Sequence, residues 1–598
     1  MSNQNPETKQ CQNCQQNFIV EPEDFAFYDK IKVPPPTWCP ECRIVRRMIW
    51  RNERTLYKRR CDAHGHNEDI ISIYSATGSC KVYDNQYWWS DEWDALSYGC
   101  DYDFSKSFFE QFKALIKEVP QNNLITRNNI NSPYVNYLVD SKNCYMVIGG
   151  KDNEDSTYAN HVVTIKNSSD LYFANTMELG YEDVICQNSY NLLYGQNSEN
   201  CLNSYFLYDC KNCSNCFGCV GLRNKQYYIS NVQYSKEEYQ EKLKEFNLGS
   251  FFGLEKQSKI FNNLKLNYPH RFINSTKTAD VSGDNISEAK NCHYVFDILS
   301  GGSENCKFMF WGGQDAKEVY DGVGVGVKGE LLYENAIVTQ SVSRVSFSAA
   351  IWTGYNINYS YNCLSSSNLF GCVSLKNKQY CILNKQYTKE EYETLVPKII
   401  EQMNTMPYTD KQGRVYKYGE FFPFELSPFC YNETIAQEYF PLTKKQALEK
   451  GYSWKDQQER NITITKKSED LPDHITDVPD SITKEIISCQ HQGSCNEQCT
   501  TAFKIIPQEL EFYRKMNLPL PRLCPNCRHY QRLKQRNPLK LWHRQCGCGG
   551  EKSTNEVYLN TIQHPHGTSS CSNEFETSYS PDRLEIVYCE QCYQQEVV

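Results

Sequence analysis

The chain has 598 residues, more than one hydrophobic core usually spans, and 30 of them are cysteine. Its polar first residues, MSNQNPETKQ, and the lack of any run of about 18 apolar residues argue against a secreted or membrane-spanning protein. We therefore expect a cytoplasmic protein whose cysteines bind metal. The formal net charge of -9 excludes a protein that coats nucleic acid along its whole length.

The N-terminal segment, residues 1–95, carries four cysteines in the spacing of a zinc ribbon. Cys11 and Cys14 form one C-x2-C pair, and Cys39 and Cys42 form a second. A tight turn of this kind aims two sulfurs at one point, and two such turns complete the tetrahedron that zinc prefers. Because protein ligands fill all four positions, we expect a structural zinc and no catalytic metal.

A cluster of basic and aromatic residues follows the second C-x2-C pair. Its members are Arg43, Arg46, Arg47, Trp50, Arg51 and Arg54. Arginine pairs with phosphates and aromatic rings stack on unpaired bases, so we expect these residues to bind nucleic acid, with RNA favoured over a DNA sequence. The alternative is that the arginines form a structural belt that bonds the acidic body of the protein.

Two connectors, residues 96–140 and 404–485, flank the centre of the chain. The first is helical, since SKSFFEQFKALIKEV places Phe108, Phe112 and Leu115 on one helical face, a pattern that indicates packing. In the second connector, Thr443 is a candidate N-cap of a short helix.

The centre is predicted to be mainly β and duplicated, with halves at residues 141–284 and 285–403. The stretch CFGCVGLRNKQYYISNVQYSKEEY in the first half returns as LFGCVSLKNKQYCILNKQYTKEEY in the second. Polar corners alternate with short apolar strands, which is typical of a β-solenoid or parallel β-helix with stacked coils. A two-sheet β-sandwich is the main alternative.

Each half of the centre is predicted to end in a short capping helix. Ser235-x-x-Glu238 and Thr388-x-x-Glu391 are capping boxes that precede amphipathic stretches. A helix at this place would cover the exposed edge of the last coil.

Four cysteines of the first half have a spacing that also occurs in iron–sulfur proteins. They are Cys210, Cys213, Cys216 and Cys219. The matching residues of the second half are Cys363, Ser366, Leu369 and Cys372. Leucine cannot bind iron, so we interpret the run as core packing, in which free cysteine acts as a small apolar residue.

Parallel β-helices often carry carbohydrate chemistry, which needs two carboxylates at a set separation. The candidate carboxylates are Asp170, Glu182, Asp183, Asp209 and Asp315, and Trp311 and Trp352 could stack on sugar rings. We find no pair that recurs in both halves with a recognisable motif, and no phosphate-binding loop or nucleophile–base set. We assign no catalytic residue and do not expect an enzyme.

The C-terminal segment, residues 486–598, repeats the N-terminal zinc ribbon. Its predicted zinc ligands are Cys495, Cys499, Cys524 and Cys527. A further site would use Cys546, Cys548, Cys589 and Cys592, unless these form two loose surface knuckles with reactive thiols. The cofactor prediction is therefore two zinc ions, or three if the further site forms. The basic and aromatic cluster also recurs, as Arg528, Arg532, Arg536, Trp542 and Arg544.

The two ribbons resemble a known family. The pattern CxxC…F…FY…PxxCPxCRxxRR is similar to small zinc-ribbon proteins, and WRNERTLYKRRCD with its continuation resembles cysteine-rich zinc-ribbon proteins of bacteria. The resemblance implies zinc binding at the matched cysteines and brings no known reaction. The N-terminal copy has Asp84 and Tyr87 where the C-terminal copy has Cys589 and Cys592, so we expect the N-terminal copy to lack the further metal site.

The sequence favours a zinc-binding, non-catalytic protein that contacts nucleic acid through its arginine-rich ribbons. The first alternative is a protein-binding scaffold with structural zinc modules at its ends. The second is a carbohydrate-active β-helix enzyme. We expect a nucleic acid or a protein assembly as the partner, and no membrane or small-molecule substrate.

Overall fold

The computed structural model describes residues 5–299, 301–456 and 462–597, and strands prevail over helices among them. This confirms the predicted mainly β class. The chain forms two compact units, the first from Met1–Leu124 and Ile273–Asp456 and the second from Ile125–Phe272 and Gln457–Val598. Each unit thus combines one terminal cysteine module with one half of the repeated centre. The N-terminal module belongs with the second half, and the C-terminal module with the first.

The first half of the centre is a sheet that we call the first parallel sheet. Its parallel strands are Thr126–Arg127, Asn136–Val139, Ile148–Lys151, Asn160–Lys166, Tyr172–Glu178, Val184–Leu193, Leu202–Tyr208, Ser214–Val220 and Gln226–Ile229. A short antiparallel strand, Val232–Gln233, ends it. Each strand pairs with the next one along the chain at a constant offset, which brings Asn160 beside Tyr172 and Tyr172 beside Val184.

Every third residue of the first parallel sheet points into its core. Val162, Ile165 and Leu171 are at most 1% exposed, and Ser168, between the last two, is equally buried. The residue before each inward position has a positive φ, a conformation that asparagine and aspartate adopt most readily among residues with a Cβ. This explains the Asn- and Asp-rich corners, whose side chains also bond from strand to strand, as Asn143 does with Asp155 at 2.8 Å.

The four-cysteine run fills four consecutive inward positions. Cys210, Cys213, Cys216 and Cys219 are fully buried and belong to the hydrophobic core of the sheet. Each thiol donates to the carbonyl oxygen two residues before it, at distances of 3.3–3.5 Å. Their place in the core agrees with the predicted packing role.

The second half of the centre forms the second parallel sheet. Its parallel strands are Ser275–Thr276, Ala279–Ser287, Ala289–Ile298, Ser303–Lys307, Phe310–Gly312, Lys317–Val325, Gly329–Val338, Val342–Asn358, Leu364–Phe370 and Gln379–Ile382, followed by the antiparallel Lys385–Gln386. The offset between its strands is less regular than in the first sheet. Ala279 pairs with Lys290, Lys317 with Glu330, and Trp352 with Leu364, so that the offset differs by one or two residues between pairs of strands.

Helices cover the ends and sides of both sheets. Ser235 and Thr388 cap the helices Lys236–Glu245 and Lys389–Thr405 with both bonds of a capping box, as predicted. Thr443 likewise caps Lys444–Glu449. The other helices are Pro22–Ile31, Pro40–Met48, Asn85–Trp89, Phe108–Glu118, Phe251–Leu266, Ile435–Tyr439, Pro507–Lys515, Pro525–Leu533 and Glu590–Val597. Among the described residues, no helix is long and apolar enough to cross a membrane.

Short paired strands build the terminal modules and their surroundings. In the first unit these are Glu7–Gln10 with Asn17–Val20, Tyr57–Arg60 with Asp69–Ser72, Val82–Tyr83 with Gln121–Asn122, and Tyr408–Thr409 with Val415–Tyr416. In the second unit they are Ile487–Ser488 with Ala502–Phe503, Trp542–Gln545 with Glu574–Thr577, and Pro269–Arg271 with Ile586–Tyr588. Nearly all metal-binding candidates lie at the ends of these strands or in the first turns of the helices after them.

Replacement of an inward-facing cysteine by serine should cost little stability. Ser204, on the strand before that of Cys216, donates to the carbonyl oxygen of Leu202 at 2.8 Å and accepts from the amide of Cys216 at 3.1 Å. The variant Cys216→Ser can make the same bond to its own strand, so we expect it to lose only about 1 kcal/mol of stability. Its metal content should equal that of the wild type, measured by elemental analysis together with chemical unfolding.

A control variant, Leu192→Ala, empties another inward position and should cost about 2–5 kcal/mol. Loss of bound metal from Cys216→Ser would show that the run binds a metal.

Candidate metal centres

The first candidate metal centre brings together the four predicted cysteines of the N-terminal module. Cys11 and Cys14 lie in the hairpin between Glu7–Gln10 and Asn17–Val20, while Cys39 is the N-cap of the helix Pro40–Met48 and Cys42 lies in its first turn. The four sulfurs lie within 4.8 Å of one another. Backbone N–H groups at a helix start favour negative charge, which suits thiolate ligands.

The sulfur spacing fits zinc. A tetrahedron with zinc–sulfur bonds of about 2.3 Å places its sulfurs about 3.8 Å apart. The sulfurs of Cys14 and Cys39 are 3.7 Å apart, far beyond the bond length of about 2.05 Å in a disulfide. The amide of Asn13 also donates to the sulfur of Cys42 at 3.2 Å, as an outer-shell partner of a metal ligand does.

The second candidate centre corrects one predicted ligand. Its four cysteines are Cys489, Cys499, Cys524 and Cys527, whereas the prediction had Cys495 in place of Cys489. The sulfur of Cys527 is 3.8 Å from that of Cys489, and those of Cys499 and Cys524 are 4.0 Å apart. Cys489 directly follows the strand Ile487–Ser488, just as Cys11 follows Glu7–Gln10, so the paired strands decide which cysteine enters the centre.

Cys495 lies on the loop between these strands. Its sulfur is 3.7 Å from that of Cys527, and it forms a separate group with His491 and Glu497. The carboxylate of Glu497 already binds Lys534. Cys495 is therefore a neighbour of the centre and lies outside its four-cysteine set.

The third candidate centre also differs from the prediction in one ligand. It consists of Cys546, Cys571, Cys589 and Cys592, with Cys571 in the place predicted for Cys548. The sulfurs of Cys571 and Cys589 are 3.9 Å apart. Hydrogen bonding from Cys546 lowers the pKa of Cys589, which favours the thiolate form that a metal ligand needs. Cys571 stands alone in the sequence SSCSN, where no second cysteine signals a metal site.

The N-terminal module has a hydrogen-bonded cluster at the place that matches the third centre. The thiol of Cys61 lies 3.6 Å from a carboxylate oxygen of Asp84, which also lies 3.4 Å from a ring nitrogen of His66. The ring of Tyr87 packs on that of His66 at 4.5 Å. Aspartate and tyrosine thus stand where the C-terminal module has two cysteines.

The arginines of the N-terminal cluster face the second parallel sheet. Arg43, Arg46 and Arg47 are at most 1% exposed. The nitrogen–oxygen distances are 2.9 Å for Arg43–Asp321, 2.8 Å for Arg46–Glu334, 2.7 Å for Arg46–Glu420, 3.0 Å for Arg47–Asp321 and 2.9 Å for Arg47–Glu334. Burial alone would lower the pKa of Arg43, but its charged neighbours, led by Asp321, raise it well above its ordinary value.

The C-terminal cluster binds the first parallel sheet in the same way. The distances are 3.2 Å for Arg528–Asp170, 3.2 Å for Arg528–Glu509, 2.8 Å for Arg532–Asp170 and 2.9 Å for Arg532–Glu182. Both arginines lie on the helix Pro525–Leu533, which follows Cys524 as Pro40–Met48 follows Cys39. Each terminal module is therefore attached to its sheet by buried ion pairs.

The carboxylates of the two sheets occupy matching positions. Asp170 and Glu182 lie at equivalent positions one strand apart, with φ values of 57° and 53°, and Asp321 and Glu334 do so with 58° and 49°. An acidic pair thus recurs in both halves, without a recognisable sequence motif. The pair escapes notice because its members are spaced differently in the two halves and have no shared local motif.

Most residues predicted to bind nucleic acid are buried, which contradicts their predicted role at an exposed surface. Arg43, Arg46, Arg47, Trp50, Arg51, Arg528, Arg532 and Arg536 are at most 9% exposed. The ring of Trp50 packs on Phe422 at 4.5 Å, and the guanidinium group of Arg51 lies 4.2 Å over Trp311. These groups bind the protein itself and do not face solvent. Arg54, Trp542 and Arg544 are half-buried.

Most of the carboxylates considered for carbohydrate chemistry bind other groups of the protein. Asp170 and Glu182 bind arginine, and Asp209 lies 3.0 Å from Arg223. Asp183 is fully buried, accepts from the amide of Gly195 at 2.6 Å, and has a pKa that burial raises well above its ordinary range. Only Asp315 of the five is exposed. Four of the five carboxylates thus have hydrogen-bond or ion-pair partners within the protein.

Comparison with models of known protein families found no match, and comparison with curated proteins found none either. The resemblance to zinc-ribbon proteins therefore stays a prediction that rests on the motifs themselves.

The corrected ligand of the second centre can be tested with two neighbouring cysteines. Cys489→Ser removes one of four sulfurs and should release one zinc ion per chain. Cys495→Ser changes a thiol beside the same centre and should keep the full zinc content. The measurement is the zinc content of the purified full-length chain by elemental analysis. The reverse result, with zinc lost only from Cys495→Ser, would restore the ligand set predicted from sequence.

The contribution of the arginine–carboxylate pairs to stability can be tested with two variants of the same strand. Glu334→Gln removes a buried charge that faces Arg46 and Arg47, and breaking a buried pair typically costs about 3–5 kcal/mol. Glu330→Gln changes an exposed residue of the same strand and should leave stability unchanged. Chemical unfolding of the full chain measures the difference. Equal stability of the two variants would mean that these ion pairs do not hold the module in place.

Proposed function

We propose that this protein is a metal-stabilised, non-catalytic scaffold that binds another protein. The observation that carries the proposal is the recurrent set of buried ion pairs between each module and its sheet, Arg43 with Asp321 and Arg528 with Asp170. In these pairs, carboxylates of the protein itself neutralise the positive charge of both modules. The metal centres then serve to hold the helices that carry the arginines.

We further infer that each parallel sheet is a β-solenoid. A constant offset between strands, with an inward residue at every third position, gives four short sides per coil, as in the four cysteines from Cys210 to Cys219. Parallel pairing of nearly every strand with a neighbour in chain order supports stacked coils rather than a β-sandwich, whose sheets are antiparallel. The capping helices support the same inference, since they follow the last strand of each half.

The charge distribution favours a protein partner over nucleic acid. Phosphate binding needs exposed cations, and the arginines predicted for it are mostly buried. On the exposed side of the first parallel sheet, Glu154, Lys166 and Glu178 follow one another at equivalent positions of successive strands. Alternating charge of this kind cancels, and Lys166 lies 3.4 Å from Glu154. Such a surface attracts no polyanion.

The same column then becomes apolar. Tyr190 and Leu202 pair directly in register and are 44% and 47% exposed. The second parallel sheet has a similar column of Glu304, Lys317, Glu330 and Ser343, and Tyr355, on the same strand as Ser343, is 49% exposed. Exposed tyrosine beside apolar and charged groups is typical of protein interfaces. We assign a protein-binding surface to each of these columns, one in each unit.

The test compares what co-purifies with tagged full-length chains from the native cell. The wild type should retain a protein at constant stoichiometry, and the double variant Tyr190→Arg, Leu202→Arg should retain at least about tenfold less, since a buried unpaired charge costs more than about 1.4 kcal/mol. Val232→Arg is the control, because Val232 is 56% exposed and lies outside the column. Equal retention by the double variant would refute the assigned surface.

A parallel binding measurement with single-stranded RNA at low salt separates the alternatives. Tight binding that weakens steeply as salt rises would contradict the scaffold and support the nucleic-acid function.

A further inference from the structure

A second group of metal-ligand side chains lies beside the third centre. It consists of Cys548, His564 and His566, together with Cys592, and its ligand atoms all lie within 4.8 Å of one another. Cys548, His564 and Cys592 are at most 2% exposed, and His566 is half-buried. Cys592 thus belongs to two groups at once.

In each of the two histidines, one ring nitrogen lies against an oxygen atom of the protein, and the other is available to bind a metal. Nε2 of His564 lies 3.0 Å from a carboxylate oxygen of Glu596, and both side chains are fully buried. Its other nitrogen, Nδ1, is buried and has no hydrogen-bond partner. A carboxylate behind a histidine is the common outer shell of a metal ligand, and a buried nitrogen without a partner is otherwise costly.

His566 is oriented from its other side. Its Nδ1 lies 2.7 Å from the carbonyl oxygen of Ser569, an acceptor that requires the proton on this nitrogen. The lone pair is then on Nε2, which lies 3.4 Å from the sulfur of Cys592. The amide of Asn560 donates to the sulfur of Cys548 at 3.2 Å, again as an outer-shell partner does.

The number of ligands exceeds what one ion can use. The two groups together offer five thiols and two imidazoles, whereas zinc in structural sites takes four ligands. Two tetrahedral ions need eight ligand positions, and seven ligand atoms supply them if one thiolate serves both ions. Cys592 is the residue that the two groups share. Five thiolates against two divalent ions leave a net charge of about -1, smaller in magnitude than the charge of about -2 on a single four-thiolate zinc.

We propose that the C-terminal module holds two zinc ions bridged by the thiolate of Cys592. One ion takes Cys546, Cys571, Cys589 and Cys592, and the other takes Cys548, His564, His566 and Cys592. The N-terminal module has Tyr87 at the position of the bridging cysteine and binds no such pair. With the first and second centres, the full chain then holds four zinc ions, one more than the largest number predicted from sequence.

The test counts zinc ions in the zinc-loaded full-length chain by native mass spectrometry and elemental analysis. The wild type should hold four, and His566→Ala should hold three because it removes a ligand of one ion only. Cys592→Ser should hold two because it removes a ligand of both. His543→Ala is the control, since His543 is an exposed histidine of the same module and should leave four.

If the wild type and His566→Ala both hold three ions, the proposed ion at Cys548, His564, His566 and Cys592 is not bound. Three ions in Cys592→Ser, with four in the wild type, would overturn the bridge.

A measurement on the wild type alone guards against variants that fail to fold. Cobalt(II) replaces zinc in tetrahedral sites, and two cobalt ions that share a thiolate couple magnetically. We expect the paramagnetic resonance signal of the fully substituted chain to account for only two of four cobalt ions. A signal from four isolated ions would overturn the bridge. Neither measurement depends on the proposed protein partner, so the scaffold function and the bridged pair can fail separately.

Discussion

The ion pairs between buried arginines and the carboxylates of the parallel sheets are the interaction on which each unit depends. An arginine buried without its partner would leave an uncompensated charge, which costs several kcal/mol. The metal centre sets the geometry, because Cys39 begins the helix that carries Arg43 and Arg47, and Cys524 begins the helix that carries Arg528 and Arg532. A metal bound at these cysteines would therefore hold the helices in the position that the ion pairs require.

Local spacing was enough to predict the features that depend on neighbouring residues. The first centre follows from two C-x2-C pairs, and the capped helices follow from Ser235 and Thr388. The errors concern ligands that come from separate loops. Cys489 enters its centre because its strand pairs with another, and Cys571 because its loop is bonded to Cys548 through the backbone at 2.9 Å. Neither contact leaves a pattern in the sequence near the cysteine.

The arginines that were predicted to bind nucleic acid, and are buried, show a second limit of prediction from sequence. A run of cations in a sequence normally lies in solvent, and burial becomes possible only when opposite charges from elsewhere in the chain meet it. Asp321 and Glu334 belong to the second half of the centre, whereas the arginines they bind lie near the start of the chain. A signal existed, however, in the three-residue period of the inward positions. That period gives the register of the first half and places Asp170 and Glu182 at equivalent positions, but the less regular offset of the second half hides the matching positions of Asp321 and Glu334.

The two similarities within the chain are physically linked. The repeated ribbon and the repeated sheet form a single unit, in which the arginines of the ribbon and the carboxylates of the sheet recur together, Arg43 and Asp321 in one copy and Arg528 and Asp170 in the other. A ribbon copied without its sheet would bury arginines against nothing, and a sheet copied alone would bury carboxylates. Because either change costs several kcal/mol, each module depends on a sheet that offers the matching carboxylates. The crossed order, with the N-terminal ribbon on the second sheet and the C-terminal ribbon on the first, satisfies this condition as well as a simple tandem order would.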